Sequence, residues 1–328
     1  MKSIADVVRR AGWIHSAGGT GPYLSLRARI PSLTRQQVDY SVCRDFDLVE
    51  VLAVRESMML VPREDVAVAL AAGRRGTIAR FSRLPIDAEE LDALAQTIIE
   101  MIGDRERTAG ELRSCIPSRL IADLGDEGKR AGFGSTLPVA LRLLQSQGRI
   151  LRTGEHSRLD AKRYSYRRWP SSIPIGEGPR DLDAALAERF ARWVVAPGVD
   201  DFAFFAGTGK TAAKKALAAA PSTGAPPPLA KGVLLLPFRD PHFELRRDSD
   251  EATRRHNTIV ADGELAGIWE FDPAEQRIVW RTFRNVRGVE AAVGETERFI
   301  RDELGDHKFY PFDHGKTRSS RLAALNAS

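Results

Sequence analysis

Apolar positions recur every three to four residues through most of residues 1–220, then switch towards alternation in the C-terminal third. Residues 2–11 predict a short helix with Ile4, Val7 and Val8 on one side. Gly12 and the run Gly18, Gly19, Gly21, Pro22 break helical propensity. Tyr23 to Ile30 is regular again and stops at Pro31; Thr34 through Val42 predicts a helix with Val38 and Val42 on one face. After Phe46, the apolar stretch LVEVLAVRESMMLVP reads as a helix turning into a short strand that ends at Pro62. Glu64 to Ala72 returns to helix and closes at Gly73.

Pro85 and Asp87 prepare a longer helix with the stripe Leu91, Leu94, Ile98, Met101. Thr108 and Glu111 have capping-box spacing before Leu112 and Cys115. In STLPVALRLLQSQGRI, Ser135 or Thr136 can cap, Pro138 is tolerated in the first turn and Gly148 stops the helix. ILRTGEHSRLDAKRYSYRRW then alternates loosely about a Gly154 turn, as a hairpin would. Three helices followed by a hairpin is the winged-helix order, with the third helix as groove reader and the hairpin as wing.

Beyond a Pro- and Gly-containing linker at 170–179, Leu182 to Val195 predicts a helix. Asp200 to Ala220 predicts two shorter helices broken near Gly207 and Gly209. AAAPSTGAPPPLAKG is a compositional break. After it VLLLP, HNTIVADG, ELAGIWEF and RIVWRTF read as strands, Asp262–Gly263 as a hairpin turn, and Gly288 to Leu304 as a terminal helix. No internal repeat emerges from residue identity. The expected fold class is α+β, as tandem winged-helix modules with a C-terminal small sheet or barrel-like domain. Residues 1–100 form the first module, 101–170 a second with a basic wing and 179–220 a third, truncated one. A linker at 221–232 precedes a β-rich domain at 233–328.

The 328 residues carry a net charge of +5, which decides little; its placement says more. Between Arg142 and Arg168 stand eight Lys or Arg residues against Glu155 and Asp160. Such a segment suits a phosphate backbone. Its cations Arg149, Arg152, Arg158, Lys162, Arg163, Arg167 and Arg168 are interleaved with Tyr164, Tyr166 and Trp169, which either stack on bases or fill the underside of the wing. Arg74, Arg75, Arg80 and Arg83 make a smaller cluster. Two cysteines, Cys43 and Cys115, cannot build a four-thiolate zinc site and read as buried thiols. The six histidines lack metalloprotease spacing, so neither metal nor cofactor is expected. AGTGKT at 206–211 puts Phe204 where a phosphate-binding loop needs its first glycine, after sequence that reads as helix. With no secretory leader or membrane-length apolar run, the expected location is cytoplasmic.

Four blocks resemble the winged-helix proteins related to bacterial crosslink-repair DNA glycosylases: PYLSLRARIPSLTRQQVDYSV, LVEVLAVRESMMLVPRED, GFGSTLPVALRLLQSQGRI with its hairpin, and LLLPFRD with HNTIVADGELAGIWEF. The resemblance implies a basic, concave body that embraces double-stranded DNA. It also implies metal-independent hydrolysis of the N-glycosidic bond of alkylated or crosslinked purines. The family's Gln-x-Gln element falls here on His15 and Ala17, so neither glutamine is present. His15 is the candidate general base, with Trp13, Gly18, Gly19 and Tyr23 as candidate pocket and turn residues. The alternatives are a non-catalytic DNA-binding or regulatory protein, and a self-resistance protein that sequesters a DNA-reactive compound between Trp13 and Tyr23.

Overall fold

The structure, a computed structural model, describes residues 3–221, 232–246, 255–311, 313 and 315–326. Local capping sets where several helices begin. Helix α1 (Ile4–Ala11) starts at Ser3, which accepts the Asp6 N–H while the Asp6 carboxylate accepts the Ser3 N–H. Thr34 and Gln37 do the same for α3 (Arg35–Cys43), and Thr108 and Glu111 for α6 (Ala109–Cys115).

Strands β1 (Ile14–His15), β2 (Leu48–Leu52) and β3 (Met58–Pro62) form an antiparallel sheet of order β1-β3-β2, with α2 (Gly21–Arg27) and α3 between β1 and β2. The apolar run 48–62 is therefore a hairpin, not the expected helix turning into a strand. All of β2 is buried, and a continuous apolar run has no period that separates strand from helix. Helix α4 (Val66–Phe81) runs through Gly73 instead of closing there. A Cβ on Gly73 would lie 2.1 Å from the Leu52 carbonyl oxygen, so this glycine allows close helix–hairpin approach rather than ending the helix.

A similar order, with one additional short helix, returns in α5 (Ala88–Ile102), β4 (Arg107–Thr108), α6, α7 (Gly125–Arg130), α8 (Thr136–Ser146), β5 (Ile150–Gly154) and β6 (Tyr164–Arg168). Its sheet has the order β4-β6-β5, so in both bodies a short strand after the first helix pairs with the second strand of a later hairpin. Leu94, Ile98, Leu112, Leu141, Leu144 and Ile150 give this body its own core. Helix α8 was the expected groove reader, yet it packs against α4, α5 and β2. Leu137, Val139, Ala140, Leu141 and Leu144 are buried, and Arg142 is half-buried on Glu56. Only Pro138 is exposed along it, so it has little open face to offer a groove.

Helices α9 (Leu182–Trp193), α10 (Val199–Ala206) and α11 (Lys210–Ala219) follow, with the expected break at Gly207–Gly209. Strands β7 (Val233–Leu236), β8 (Asn257–Ala261), β9 (Glu264–Asp272) and β10 (Arg277–Thr282) make a four-stranded antiparallel sheet of order β10-β9-β8-β7. Its register turns at Asp262–Gly263, as expected. Helix α12 (Pro241–Glu244) lies between β7 and β8; α13 (Val289–Phe299) widens into a π-turn through Leu304. Helix α14 (Gly315–Asn326), not foreseen, docks Arg321 on the buried Glu270 and on Asp313. One continuous core joins the first body, α9–α11 and the C-terminal sheet. The mixture of helices and small antiparallel sheets is α+β. The expected linker falls mostly on 222–231, outside the described residues, as does His314.

Candidate nucleic-acid interface

His15 lies on edge strand β1, opposite Met59 of β3. In the buried stretch from Trp13 to Thr20, His15 and Ala17 are the two half-exposed positions, so the positions where the resemblance expects glutamines share the more open side of the turn. His15 Nε2 is 2.8 Å from Arg239 Nη1. A guanidinium has no acceptor, so Arg239 donates, the Nε2 lone pair is occupied, and the ring proton belongs on Nδ1. Burial, helped by the charges of Arg239, Arg55 and Arg152, pushes the imidazole down to about 3. It is neutral at pH 7, a weak base, and already committed. Nothing in the sequence pattern singles out Arg239, which lies 224 positions away. Its neighbour Phe238 stacks on Phe309 at 4.8 Å, with the exposed Tyr310 edge-on at 6.0 Å.

Tight packing fixes the glycine turn. Gly18 has φ +79°, and a Cβ there would lie 2.1 Å from Tyr164 Oη. On Gly19 it would lie 2.3 Å from the Lys308 carbonyl oxygen. Thr20 N donates to that carbonyl at 2.9 Å, and Thr20 Oγ1 contacts His307 Nδ1 at 2.7 Å. Asn257 Oδ1 accepts from Phe238 N, while Asn257 Nδ2 donates to the Trp269 carbonyl. Its oxygen is thereby oriented, so His307 Nε2 must donate to it, at 3.0 Å. Then Nδ1 accepts from Thr20. His307 is buried, and that burial, with Arg318 and Arg321 nearby, pushes it down to about 3. Gly18 and Gly19 thus join the first body to the C-terminal one.

Two of the proposed pocket walls face inward. Trp13 is 3% exposed, donates from Nε1 to Asp65 at 2.8 Å and packs on Trp193 and Phe205. Tyr23 is fully buried, donates to Asp39 at 2.5 Å and accepts from Leu159 N. Neither can line an accessible cleft, which removes the expected compound-binding walls. A small cleft does open between α3 and the β5–β6 hairpin, lined by Val42, Cys43, Glu50, Arg152, Arg158 and Tyr164. Burial, with Asp39 and Glu50 nearby, pushes the Cys43 thiol up to about 12, so it is no nucleophile. Cys43 is half-buried and Cys115 exposed, contrary to expectation. In α6 the buried side is taken by Leu112.

The hairpin cations divide. Arg152 is turned inward onto Glu50 and under the Tyr164 ring, so it faces protein instead of solvent. Arg158 forms a bidentate pair with Asp160. Arg167 lies half-buried between Glu106 and Phe46. Lys162 and Arg163 are exposed near the tip and carry no ion pair among the described residues; Arg149 and Arg168 are exposed at the base, touching Gln96 and the Ile99 carbonyl. Tyr164, Tyr166 and Trp169 are half-buried against the protein. Elsewhere, Gly207–Thr208–Gly209 joins two helices with no strand before it, and Lys210 pairs with Asp200. Among the described residues no three His, Cys, Asp or Glu side chains converge as metal ligands, and no helix is long and apolar enough to cross a membrane.

The site is thus a basic hairpin, with its exposed cations at tip and base, carried on small antiparallel sheets in an α+β fold. The chain belongs to the AlkZ-like DNA glycosylase family, whose model matches residues 8–227. In fold it is similar to Streptomyces sahachiroi DNA glycosylase AlkZ, with a TM-score of 0.65, 16% identity, and coverage of 94% of this chain and 92% of that one. No curated protein matches it in sequence.

Proposed function

We propose that the chain binds duplex DNA through tandem winged-helix modules and that its His15 turn does not activate water. On this reading 1–100 and 101–170 are the first two modules, 179–220 is a shortened third, and 233–328 is the β-rich body. The shared strand order of the first two sheets supports it. Lys162 and Arg163 at the tip, with Arg149 and Arg168 at the base, are the hairpin cations exposed to meet phosphates.

The observation that carries the chemical half is the His15–Arg239 contact. A base whose lone pair is occupied cannot take a proton from water, and Ala17 has no polar side-chain group to position one. Glycosidic cleavage also develops positive charge on the sugar, which the Arg239 guanidinium beside His15 opposes.

A second reading is excision of a flipped alkylated or crosslinked purine at His15, favoured by His15 and Ala17 holding the half-exposed positions. A base-release assay on alkylated and crosslinked duplexes, with binding measured in parallel, separates the two. Salt-dependent binding without base release is expected. Base release by the parent that is lost in His15→Ala would establish the enzyme instead.

A further inference from the structure

Two helices, α3 and α8, stand immediately before the hairpin of their bodies, and α8 packs against α4, α5 and β2 with only Pro138 exposed. Helix α3 is different. It buries Val38, Asp39, Ser41 and Val42 and leaves Gln36, Gln37, Tyr40 and Arg44 exposed. Gln36 and Tyr40 lie one turn apart on the helix, and Arg44, its C-cap, folds back over Tyr40, so the three side chains form one row. Gln36 Nε2 donates to Tyr40 Oη at 2.8 Å, and the Arg44 guanidinium lies 3.9 Å over the Tyr40 ring. These contacts hold the row extended, so less side-chain freedom is lost on binding.

We propose that α3 is the groove-reading helix and that duplex DNA occupies its exposed face. This rests on the DNA-binding reading above. Gln and Arg are side chains that pair with adenine and guanine edges in the major groove. Arg44 pairs with Asp45 at 2.8 Å, but both are exposed, and such a pair is weak enough to yield to a phosphate or base. Helix α3 packs on β2 of its own hairpin, but the hairpin tip beside its C-terminal end is not that of β2–β3. The tip of β2–β3 is held by Arg55–Glu244 and by Glu56 on Arg142. Instead, Cys43 Sγ meets the Ser157 carbonyl at 3.4 Å, setting the C-terminal end of α3 against the β5–β6 tip. Exposed Lys162 and Arg163 near that tip supply flanking positive charge. Reading helix and wing therefore come from different modules.

The test uses the full chain and a fluorescein-labelled duplex, with anisotropy at several salt concentrations. Gln36→Ala/Tyr40→Ala/Arg44→Ala is expected to weaken binding about tenfold or more. Arg44→Glu, a single exposed change, is expected to do likewise with an unchanged melting temperature. If both variants bind within about twofold of the parent while Lys162→Ala/Arg163→Ala weakens binding, α3 is not the reader and the DNA-binding reading stands. If the parent shows no salt-dependent duplex binding, that reading fails and α3 falls with it.

Discussion

Arg152 and Glu50 meet in a bidentate pair, Nε to Oε2 at 2.8 Å and Nη2 to Oε1 at 2.9 Å, with side chains 14% and 6% exposed. Ser16 Oγ donates to the same carboxylate at 2.5 Å, so the pair fastens the second body's hairpin to the first body's sheet beside the His15 turn. Removing one partner leaves the other charge buried and uncompensated. Arg152→Ala should therefore lose about 3–5 kcal/mol in urea unfolding. The double variant Glu50→Leu/Arg152→Leu should lose less than the two single changes combined.

The glycine turn gives a second contrast. Tyr164 Oη is buried without a partner among the described residues, so Tyr164→Phe should cost less than about 1 kcal/mol. Gly18→Ala should be clearly destabilising, and partly rescued when combined with Tyr164→Phe, because the phenolic oxygen is its nearest obstacle. Gly19→Ala meets backbone carbonyls and should cost more than about 2 kcal/mol with no such rescue. Denaturation midpoints of the four proteins check this.

Acid should act through two imidazoles, the buried His307 and the half-buried His15. His15 and His307 are held to about 3, whereas unfolded histidine titrates near 6.5. Between those values the unfolded chain binds more protons, so this stabilisation is complete above about pH 6.5 and fades as pH falls towards 3. Asp39 and Glu270, raised chiefly by burial, act in the opposite direction. Unfolding free energies from pH 7 to 4 should fall less steeply in His307→Gln than in the parent.

Exposed and buried hairpin cations should separate in binding. Each phosphate contact contributes a salt slope of about 0.9, so Lys162→Ala/Arg163→Ala should reduce the slope of log K against log salt by about 1.8. Arg158→Ala, which breaks an internal pair with Asp160, should leave that slope unchanged. Equal slopes for all these proteins would remove the hairpin tip from the interface.

The sequence by itself determined what neighbours within a few residues decide. The capping box at Thr108 and Glu111, the Asp262–Gly263 turn and the break at Gly207–Gly209 are local hydrogen-bonding and backbone effects, and each is in place. The family blocks were legible because their order survives along the chain. Tertiary structure alone decided which way side chains of the same type face. Arg152 and Arg163 belong to one hairpin, yet only Arg152 meets a carboxylate brought from 102 positions away. Helix α8 reads as amphipathic but is enclosed by α4, α5 and β2. Arg239 reaches His15 because the C-terminal body is packed against the first. Periodicity records which face of an element is apolar; it carries no information on what a distant segment will place against the other face.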